Sequence, residues 1–456
     1  MKVSKFGGTS VATGNQIEKL TKIITDDPAR RIVVVSAPGK REDDDVKVTD
    51  MLIDLGEKCL RGEATETAIE QSVERYRSIA RELGIEGAIA EEIEADLQTR
   101  VAYNPADEGI FMDQIKAAGE DNNAKLIAAH FNHQGINARY MNPRDAGLLV
   151  EGEAGNAHVM AEAYEELEKI RDYDEILIFP GFFGYKPDGQ LVTFPRGGSD
   201  ITGAIVAAGV NAELYENFTD VDSVCVANPK VIDNPEPIHH MTYREMRELS
   251  YAGFTVFHDV ALIPAFRHGI PVSVKNTNHP EGEGTLITAE RSEKHRKYPI
   301  TGIAADEGFS IIYVHKYLMN REVGFGRRLL EMVEDEGISY EHLPSGIDDS
   351  SVILRTAELS LDSENHLLTR IQTELGVDDA YIEHGFAMIM LVGEWMDETV
   401  GIAARATGAI ADAGINLEMI NQGSSEVSLA FAVKERNCDE TVKAIYNEFY
   451  AKQLYE

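Results

Sequence analysis

Apolar and polar positions in the first two-thirds of the chain follow two periods, that of a buried strand and that of an amphipathic helix. The run at residues 31–36 is almost uniformly apolar, which is typical of a strand covered on both faces. Comparable runs predict strands at 3–6, 176–179, 214–218 and 271–275, and helical spacing predicts helices at 14–24, 51–60, 67–83, 124–133 and 201–209. This alternation predicts an α/β sandwich.

The last third of the chain contains a repeat. Four residues recur at a constant offset of 77 positions: Phe309, Gly324, Gly337 and Gly346 return as Phe386, Gly401, Gly414 and Gly423. Each copy is predicted to contain a strand, a helix that ends at a glycine, and further strands, at 351–355 in the first copy and at 427–433 in the second. Four matches at one offset indicate two related modules. The charged stretch 290–297 is the predicted linker before them.

Composition narrows the class of ligand. The 456 residues give room for about three domains, and 43% hydrophobic with 27% charged residues is a globular profile. A formal net charge of −35 argues against nucleic-acid binding, which requires basic surface. An anionic ligand would need local positive charge or a metal, so a lysine or arginine beside glycine becomes a candidate.

The sequence predicts a cytoplasmic protein without a membrane anchor. No apolar run is long enough to cross a bilayer, and the first residues lead directly into a strand without a secretory pattern. The three cysteines, Cys59, Cys225 and Cys438, are far apart and form neither a disulfide framework nor a zinc motif. A reducing compartment is therefore expected.

The most informative stretch is Lys5-Phe6-Gly7-Gly8-Thr9-Ser10, between the predicted strand 3–6 and the predicted helix 14–24. Such a turn can aim backbone N–H groups, one lysine and two hydroxyls at an anion. Simple chain reversal at the two glycines is the plain alternative. The spacing differs from that of a P-loop, so a phosphate site here belongs to another fold.

Three further segments carry candidate chemistry. Arg196-Gly197-Gly198-Ser199-Asp200 offers a guanidinium fork beside glycines, with Ser199 or Asp200 as the alternative helix N-cap. Gly119-Glu120 is predicted to start a helix, where a glutamate usually matches the helix dipole. Residues 219–222 and 228–230 follow a strand, at the end where α/β sheets bind ligands, although each is also an ordinary turn cluster.

Together these segments resemble the aspartate kinases of the amino-acid-kinase superfamily. The matching segments, in order, are 5–10, Ser36-Ala37, Thr49-Asp50, Gly119-Glu120, 179–182, 196–200, 219–222 and 228–230. The repeated tail is similar to the paired ACT modules of those enzymes. The resemblance implies a three-layer sandwich with a mainly parallel central sheet in residues 1–292. Two ferredoxin-like βαββαβ ACT modules would follow at 300–376 and 377–456, with or without strands shared between them.

The resemblance also implies a reaction, in which ATP with Mg²⁺ phosphorylates the β-carboxylate of L-aspartate to an acyl phosphate. This is the first step towards lysine, threonine and methionine, and the expected protein is monofunctional, without a fused homoserine dehydrogenase. No protein ligand for a metal is assigned. An aspartate carboxylate is ionised at pH 7, so the reaction needs no general base.

The implied roles divide the site into two halves. Lys5 and Asp200 would be catalytic, and the phosphate and ATP side would comprise Lys5, Gly7, Gly8, Thr9, Ser10, Thr219, Asp220 and Lys230. In this assignment the N–H groups of Gly7 and Gly8 cradle the transferred phosphoryl group. The substrate side would comprise Ser36, Thr49, Glu120, Arg196, Gly198 and Ser199. Arg196 would hold the α-carboxylate of aspartate and Glu120 its ammonium group.

The tail is expected to mediate feedback inhibition, with lysine as the effector. The implied effector residues are Met319, Gly324, Phe325, Gly326, Ser339 and Glu341. Glu341 would meet the ε-ammonium group of lysine, or would instead be a solvent-facing strand residue. Because ACT modules bind effectors between chains, a homodimer or larger homo-oligomer is expected.

Two positions depart from the family pattern, and two other functions remain open. Many members have a tyrosine where this chain has Cys225, and a nucleotide-contacting lysine where it has Thr255. One alternative is another kinase of the superfamily, acting on glutamate, acetylglutamate or a nucleotide. The other is an amino-acid sensor that has lost kinase activity, although Lys5, Arg196 and Asp200 are all retained.

Overall fold

The structure, a computed structural model, describes residues 1–103, 107–254, 257, 260–292, 297–423 and 426–451. These residues form two compact units. The first holds residues 1–224 and 237–247 with the described residues from 257 to 292. The second holds residues 225–236 and 248–254 with the described residues from 297 to 451. No helix in the described ranges is long and apolar enough to span a membrane.

The described part of residues 1–292 contains both strands and helices. The strands are β1 (Lys2–Phe6), β2 (Arg30–Val35), β3 (Ala138–Tyr140), β4 (Val150–Glu153), β5 (Asn156–Val159), β6 (Ile176–Pro180), β7 (Phe183–Tyr185), β8 (Leu191–Thr193), β9 (Leu214–Thr219), β10 (Val224–Cys225), β11 (Pro237–Ile238), β12 (His240–Thr242), β13 (Val272–Asn276) and β14 (Thr285–Thr288). The helices are α1 (Gly14–Thr25), α2 (Val48–Leu60), α3 (Glu66–Glu82), α4 (Ala88–Ala102), α5 (Glu108–His133), α6 (Glu162–Glu168), α7 (Gly198–Gly209), α8 (Tyr243–Tyr251) and α9 (Ile263–Arg267).

The first unit is built on one eight-stranded sheet, in the order β12-β14-β13-β9-β1-β2-β6-β3. Six strands that lie side by side in this sheet are parallel to one another: β13, β9, β1, β2, β6 and β3. In contrast, β14 runs antiparallel to β13. Parallel strands end at the same edge of a sheet, so the loops after β1, β2, β6, β9 and β13 meet there. The most central strand, β1, leads directly into the glycine turn.

Helices cover both faces of this sheet, as a three-layer sandwich requires. Phe6 of β1 stacks on Phe218 of β9, with ring centroids 4.8 Å apart, and both rings join a core formed with α1 to α5. The adjacent residue Lys5 points to the opposite face, where it contacts Asp200 of α7. Helix α7 lies close to the sheet, since a Cβ on Gly203 would come within 2.5 Å of the Tyr215 hydroxyl. The predicted fold class is confirmed.

Two of the predicted helix starts are wrong. Helix α5 begins at Glu108, so Gly119 and Glu120 lie in its interior rather than in its first turn. Gly119 is a packing position: a Cβ there would lie 2.8 Å from the Cβ of Ala37. Helix α7 begins at Gly198 and is capped by Gly197, which adopts the left-handed conformation with φ of 81°. Ser199 and Asp200 are therefore inside the helix and do not cap it.

The second unit contains one antiparallel sheet in its described residues from 297 to 451. The strands are β15 (Gly302–His315), β16 (Asp349–Arg355), β17 (Asp379–Val392), β18 (Met419–Gln422) and β19 (Ser428–Lys434), and the helices are α10 (Phe325–Asp335), α11 (Leu361–Glu374), α12 (Ile402–Asp412) and α13 (Cys438–Tyr446). The strand order is β16-β15-β17-β19-β18, and all neighbours are antiparallel. Residues 293–296 of the predicted linker lie outside the described residues.

The 77-residue repeat is visible in the second unit. Helices α10 and α12 begin and end at positions related by this offset, and the first residues of α11 and α13 are related in the same way. Gly337 and Gly414, the predicted corners, both adopt the left-handed conformation, with φ of 71° and 72°. The copies differ at one strand, because the segment that corresponds to β18 forms only two isolated bridges, at His342 and Ser345.

The two copies share their central strands. β15 and β17 are 14 residues long, and they pair along their whole length, with a register shift between Asp306 and Ser310. One end of this pair adjoins β16 of the first copy, and the other end adjoins β19 of the second. Neither copy therefore has a complete sheet of its own.

Gly408 and Gly414, both in the second copy, should respond differently to substitution by alanine. Gly414→Ala forces a residue with a Cβ atom to adopt the left-handed backbone conformation, so it should destabilise α12 by about 1 kcal/mol. Gly408→Ala, within α12 and with open space around its Cβ position, should stabilise the helix by about 0.5–1 kcal/mol. Native-state hydrogen exchange of the α12 amides measures both changes, and equal effects would contradict the assigned conformations.

Candidate active site

The glycine turn lies at the centre of the sheet edge. The N–H group of Gly7 donates to the carbonyl of Phe218, 3.1 Å away, at the end of β9. On the other side, the N–H group of Ser36 donates to the carbonyl of Phe6, also at 3.1 Å. The turns after β1 and β2 and the end of β9 are thereby fixed to one another.

Close backbone contact joins Gly8, the second glycine of this turn, to Gly39 in the loop after β2. The N–H group of Gly39 donates to the carbonyl of Gly8, 2.8 Å away, and a Cβ on Gly39 would lie 2.6 Å from the carbonyl carbon of Gly8. A side chain at Gly39 would therefore push the loops apart. Glycines in this segment serve the contact between two loops as well as any ligand.

The backbone donors of the turn differ from the predicted set. Gly7 uses its N–H group within the protein, and the N–H group of Ser10 donates to the carbonyl of Gly7 at 3.0 Å. Gly8 and Thr9 begin a 3₁₀ helix, and their N–H groups have no acceptor among the described residues. The hydroxyl of Ser10 is buried and lies 2.6 Å from that of Thr277. The donors open to an anion are thus those of Gly8 and Thr9.

A buried ion pair lies beside the turn. The ammonium group of Lys5 is 2.6 Å from a carboxylate oxygen of Asp200, and their side chains are only 8% and 16% exposed. The amide of Asn217 donates to the same oxygen at 2.7 Å. Lys5 and Asn217 are register partners in β1 and β9, so both side chains face α7. Asn217 was not predicted, because only the register of the two strands reveals it.

The start of α7 packs tightly against the turn after β6. A Cβ on Gly198 would lie 2.5 Å from the ring of Phe182, and one on Gly181 would lie 2.7 Å from the side chain of Ser199. Phe182 itself has a positive φ of 78°, which is uncommon for a residue with a side chain. Ser199 is buried at this contact, and its hydroxyl is 3.5 Å from Oε1 of Glu120.

Glu120 is a buried carboxylate with no cationic partner among the residues that the structure describes. It is 6% exposed, and its Oε2 atom has no hydrogen-bond partner in the described part of the chain. Burial raises the pKa of Glu120 to about 7, although the nearby ammonium group of Lys5 opposes this rise. A cation delivered to this carboxylate would stabilise its charged form. Such a position suits the ammonium group of a ligand.

Arg196 and Thr49 complete the predicted substrate side. Arg196 is exposed, four residues before Asp200, and its guanidinium forms no ion pair with any described residue. Thr49 is half-buried in the first turn of α2. The carbonyl of Ser36 accepts a hydrogen bond of 2.7 Å from the amide of Asn123, which ties the loop after β2 to α5.

The predicted nucleotide residues fall in different parts of the structure. Thr219 ends β9, and its hydroxyl lies 3.2 Å from the carboxylate of Asp220, which is exposed at the same sheet edge. Lys230 belongs to the second unit, where it is exposed in a turn after Asn228. Cys225 is half-buried, and Thr255 lies outside the described residues.

Four of the predicted effector residues, Met319, Gly324, Phe325 and Gly326, lie at the start of α10, whereas Ser339 and Glu341 follow its end. Met319 and Phe325 are buried, Gly324 caps the helix with φ of 80°, and a Cβ on Gly326 would meet open space. The N–H group of Ser339 donates to the carboxylate of Glu358, 2.8 Å away.

Glu341 is not solvent-facing, so that alternative is wrong. Its side chain is 14% exposed and lies 3.2 Å from Nε of Arg355 on β16. Arg355 in turn binds Asp306 at 2.6 Å. The carboxylate of Glu341 is therefore already paired within the chain, and a cationic effector would have to compete with Arg355.

Comparisons with known proteins agree with this geometry. Residues 1–276 match the model of the amino acid kinase family, and residues 389–449 match that of an ACT domain. The chain is 54% identical over 455 residues to aspartokinase 3 of Bacillus subtilis, with all of both chains covered. It is 28% identical to the chloroplastic aspartokinase 3 of Arabidopsis thaliana, covering 100% of this chain and 82% of that one.

Two solved structures are similar over the whole chain. The crystal structure of Clostridium acetobutylicum aspartate kinase, described as an allosteric enzyme, matches with a TM-score of 0.86 and 35% identity, covering 98% of this chain and 100% of that one. Escherichia coli aspartokinase III in complex with aspartate and ADP matches with a TM-score of 0.79 and 23% identity, covering 100% of both chains. The second likeness shows the fold alone.

Stability should depend on pH through Glu120. Its pKa is raised from 4.5 to about 7 in the folded state, so the folded protein binds more protons than the unfolded chain between these values. The unfolding free energy therefore falls as pH rises through this window. Glu120→Gln removes the titrating group. The free energy of unfolding of the variant minus that of the natural chain should therefore increase by up to about 3 kcal/mol between pH 5 and pH 8.

Glu216 provides the matched control for this measurement. It is equally buried but is paired with Arg30 at 2.7 Å, so Glu216→Gln should destabilise the protein at pH 8. Urea unfolding of both variants without ligands, at pH 5 and pH 8, measures the changes. A Glu120→Gln variant that gains nothing over this range would show that the carboxylate is already compensated.

Proposed function

Because the chain belongs to the aspartokinase family, we propose that it transfers the γ-phosphoryl group of ATP to the β-carboxylate of L-aspartate, giving 4-phospho-L-aspartate and ADP. The observation that carries the proposal is the pairing of Lys5 with Asp200, 2.6 Å apart, beside Glu120 and the free N–H groups of the glycine turn. This places a cation for phosphate and an anion for an ammonium group on adjacent elements.

Charge neutralisation is the main demand of the reaction. A carboxylate oxygen of aspartate forms a bond to the γ-phosphorus while the bond to the bridging oxygen of ADP breaks. Lys5 stabilises the negative charge on the transferring group, and the N–H groups of Gly8 and Thr9 hold its oxygens. Asp200 and Asn217 fix the position of the ammonium group of Lys5 before the phosphate arrives.

The substrate side fits a small zwitterion. Arg196 holds the α-carboxylate through its guanidinium fork, and Glu120 accepts the α-ammonium group. Ser36, Thr49, Gly198 and Ser199 surround the rest of the molecule. A substrate without an ammonium group, such as an N-acetylated amino acid, would leave the buried carboxylate of Glu120 uncompensated. This disfavours the acetylglutamate and nucleotide kinase alternatives.

The nucleotide side is supported by the relatives. The structure of Escherichia coli aspartokinase III contains aspartate and ADP, which correspond to the proposed phosphoryl acceptor and the proposed nucleotide product. Thr219 and Asp220 border the nucleotide in this proposal. Mg²⁺ is placed on the phosphates of ATP, and no cluster of three or more potential metal-ligating residues was found among the described residues.

We also propose that residues 1–292 form the catalytic domain and that two ACT modules, 300–376 and 377–456, regulate it in a cytoplasmic homodimer or larger homo-oligomer. The reaction would be the first step towards lysine, threonine and methionine. Lysine is the proposed effector: a structure of Escherichia coli aspartokinase III with lysine and aspartate is described as the T-state. Binding would favour a conformation with poorer substrate affinity.

A Lys5→Met variant tests the chemistry. Loss of the only charge that reaches the transferring group from β1 should lower kcat at least about 1000-fold. Lys2→Met is the matched control: it removes a lysine from the other end of β1, paired with Asp27 at 2.7 Å, and should leave kcat within about twofold. ADP release and trapping of the acyl phosphate by hydroxylamine measure turnover.

The same assay tests the substrate. Aspartate should be turned over, whereas glutamate and N-acetylglutamate should not. Preference for glutamate, or a Lys5→Met variant that keeps its activity, would overturn the proposed function. Absence of any phosphorylation would instead favour the amino-acid sensor.

A pair of glycine variants tests the regulatory proposal. Gly324 and Gly401 occupy equivalent positions in the two copies, with φ of 80° and 94° and open space around each Cβ position. If the first copy binds lysine, Gly324→Ala should weaken lysine inhibition at least about tenfold through distortion of its turn, and Gly401→Ala should not. Activity measured with lysine, threonine and both together provides the readout, and indifference of the natural chain to all three would contradict the proposal.

A further inference from the structure

Arg75 is an arginine buried beneath the loop that separates Gly39 from Thr49. It lies within α3, only 4% exposed, and no predicted site residue comes from that helix. One terminal nitrogen is 2.6 Å from the carboxylate of Asp45, and the other donates to the carbonyl of Gly39 at 2.5 Å. Burying a charged side chain is costly, and here both strong contacts are made to one loop.

The contact to Gly39 leads directly to the glycine turn. Gly39 accepts a hydrogen bond from Arg75 through its carbonyl and donates one to Gly8 through its N–H group, at 2.8 Å. A side chain does not fit between these loops, because a Cβ on Gly39 would lie 2.6 Å from the backbone of Gly8. Gly39 is thus the only residue between Arg75 and Gly8, whose N–H group is open to an anion.

The contact to Asp45 fixes the other end of the loop. Asp45 also accepts two hydrogen bonds from the guanidinium of Arg41, each 2.9 Å long. The loop closes where the N–H group of Val48 donates to the carbonyl of Pro38 at 3.1 Å, and Thr49 is the next residue. Displacing Asp45 would therefore move the start of α2, which carries Thr49.

We propose that Arg75 is a positioning residue for phosphoryl transfer, which holds the 38–47 loop so that Gly39 supports Gly8 and Thr49 faces the substrate. The proposal rests on the proposed function. No role in binding either substrate is assigned to Arg75, so its proposed effect acts through the two ends of this loop. Because both substrates are oriented from the loop, misplacing it should affect turnover as well as binding.

Arg30 offers a matched control for a purely structural role. Its guanidinium also binds one carboxylate, that of Glu216 at 2.7 Å, and one backbone carbonyl, that of Ile23 at 2.6 Å. Its side chain is 12% exposed, compared with 3% for Arg75. Arg30 begins β2, at the end of the sheet opposite to the glycine turn. Removing it should weaken the fold without moving the site.

The test compares Arg75→Met with Arg30→Met in the full chain. Arg75→Met should lower kcat/KM about 10- to 100-fold for ATP and for aspartate, with part of the loss in kcat. Arg30→Met should keep kcat and both KM values within about twofold while its urea midpoint falls. Arg75→Lys, which keeps the charge but cannot reach both partners, should recover only part of the activity. Similar kinetic parameters for Arg75→Met and Arg30→Met would overturn the proposal.

Gly39→Ala keeps the proposal testable if Arg75→Met does not fold. It leaves Arg75 in place but forces the loop away from Gly8, so it should reproduce the kinetic loss, and the urea midpoint should fall because the added Cβ overpacks this contact. Unchanged kinetics in Gly39→Ala would also overturn the positioning role. Failure of the natural chain to phosphorylate aspartate would refute the proposed function instead, so the two outcomes are distinguishable.

Discussion

The ion pair between Lys5 and Asp200 is the interaction on which the site depends. A lysine ammonium group buried at the end of a central strand is unstable unless an anion meets it, and α7 supplies that anion at 2.6 Å. The pair fixes the distance between the sheet and the helix, and Asn217 holds it from the neighbouring strand. The sequence has a net charge of −35, so a local cation of this kind has to be created by the fold against the overall charge.

Two glutamates show how environment decides the role of a carboxylate. Glu120 and Glu341 were both candidates for binding an ammonium group. Glu120 is buried in the middle of α5 with an unpartnered oxygen, and its pKa is raised to about 7 because burial disfavours the charge. Glu341 lies beside Arg355, which already neutralises it. A ligand's ammonium group therefore gains more at Glu120, where it replaces no existing partner.

Much of the first unit could be predicted from the sequence, because its parallel strands are buried on both faces and appear as short apolar runs. The glycine turn at residues 5–10 was located in this way, at the end of β1. The interior position of Gly119 was not, since a glycine in a helix suggests a start or an end, whereas here it permits close contact with Ala37. The role of Arg75 and the pairing of Glu341 were also hidden, because both depend on partners on other elements.

The shared strands of the second unit have a consequence for how such a chain can be rearranged. Residues 302–306 of β15 complete the sheet of the second copy by pairing with residues 388–392 of β17, which lie more than 80 residues further along the chain. Cutting between the copies would break this pairing and leave two fragments with exposed backbone edges, each prone to aggregation. A recombination event that exchanged only one copy would meet the same obstacle. The two modules should therefore be inherited together, be transferred between proteins together, and unfold as one cooperative unit.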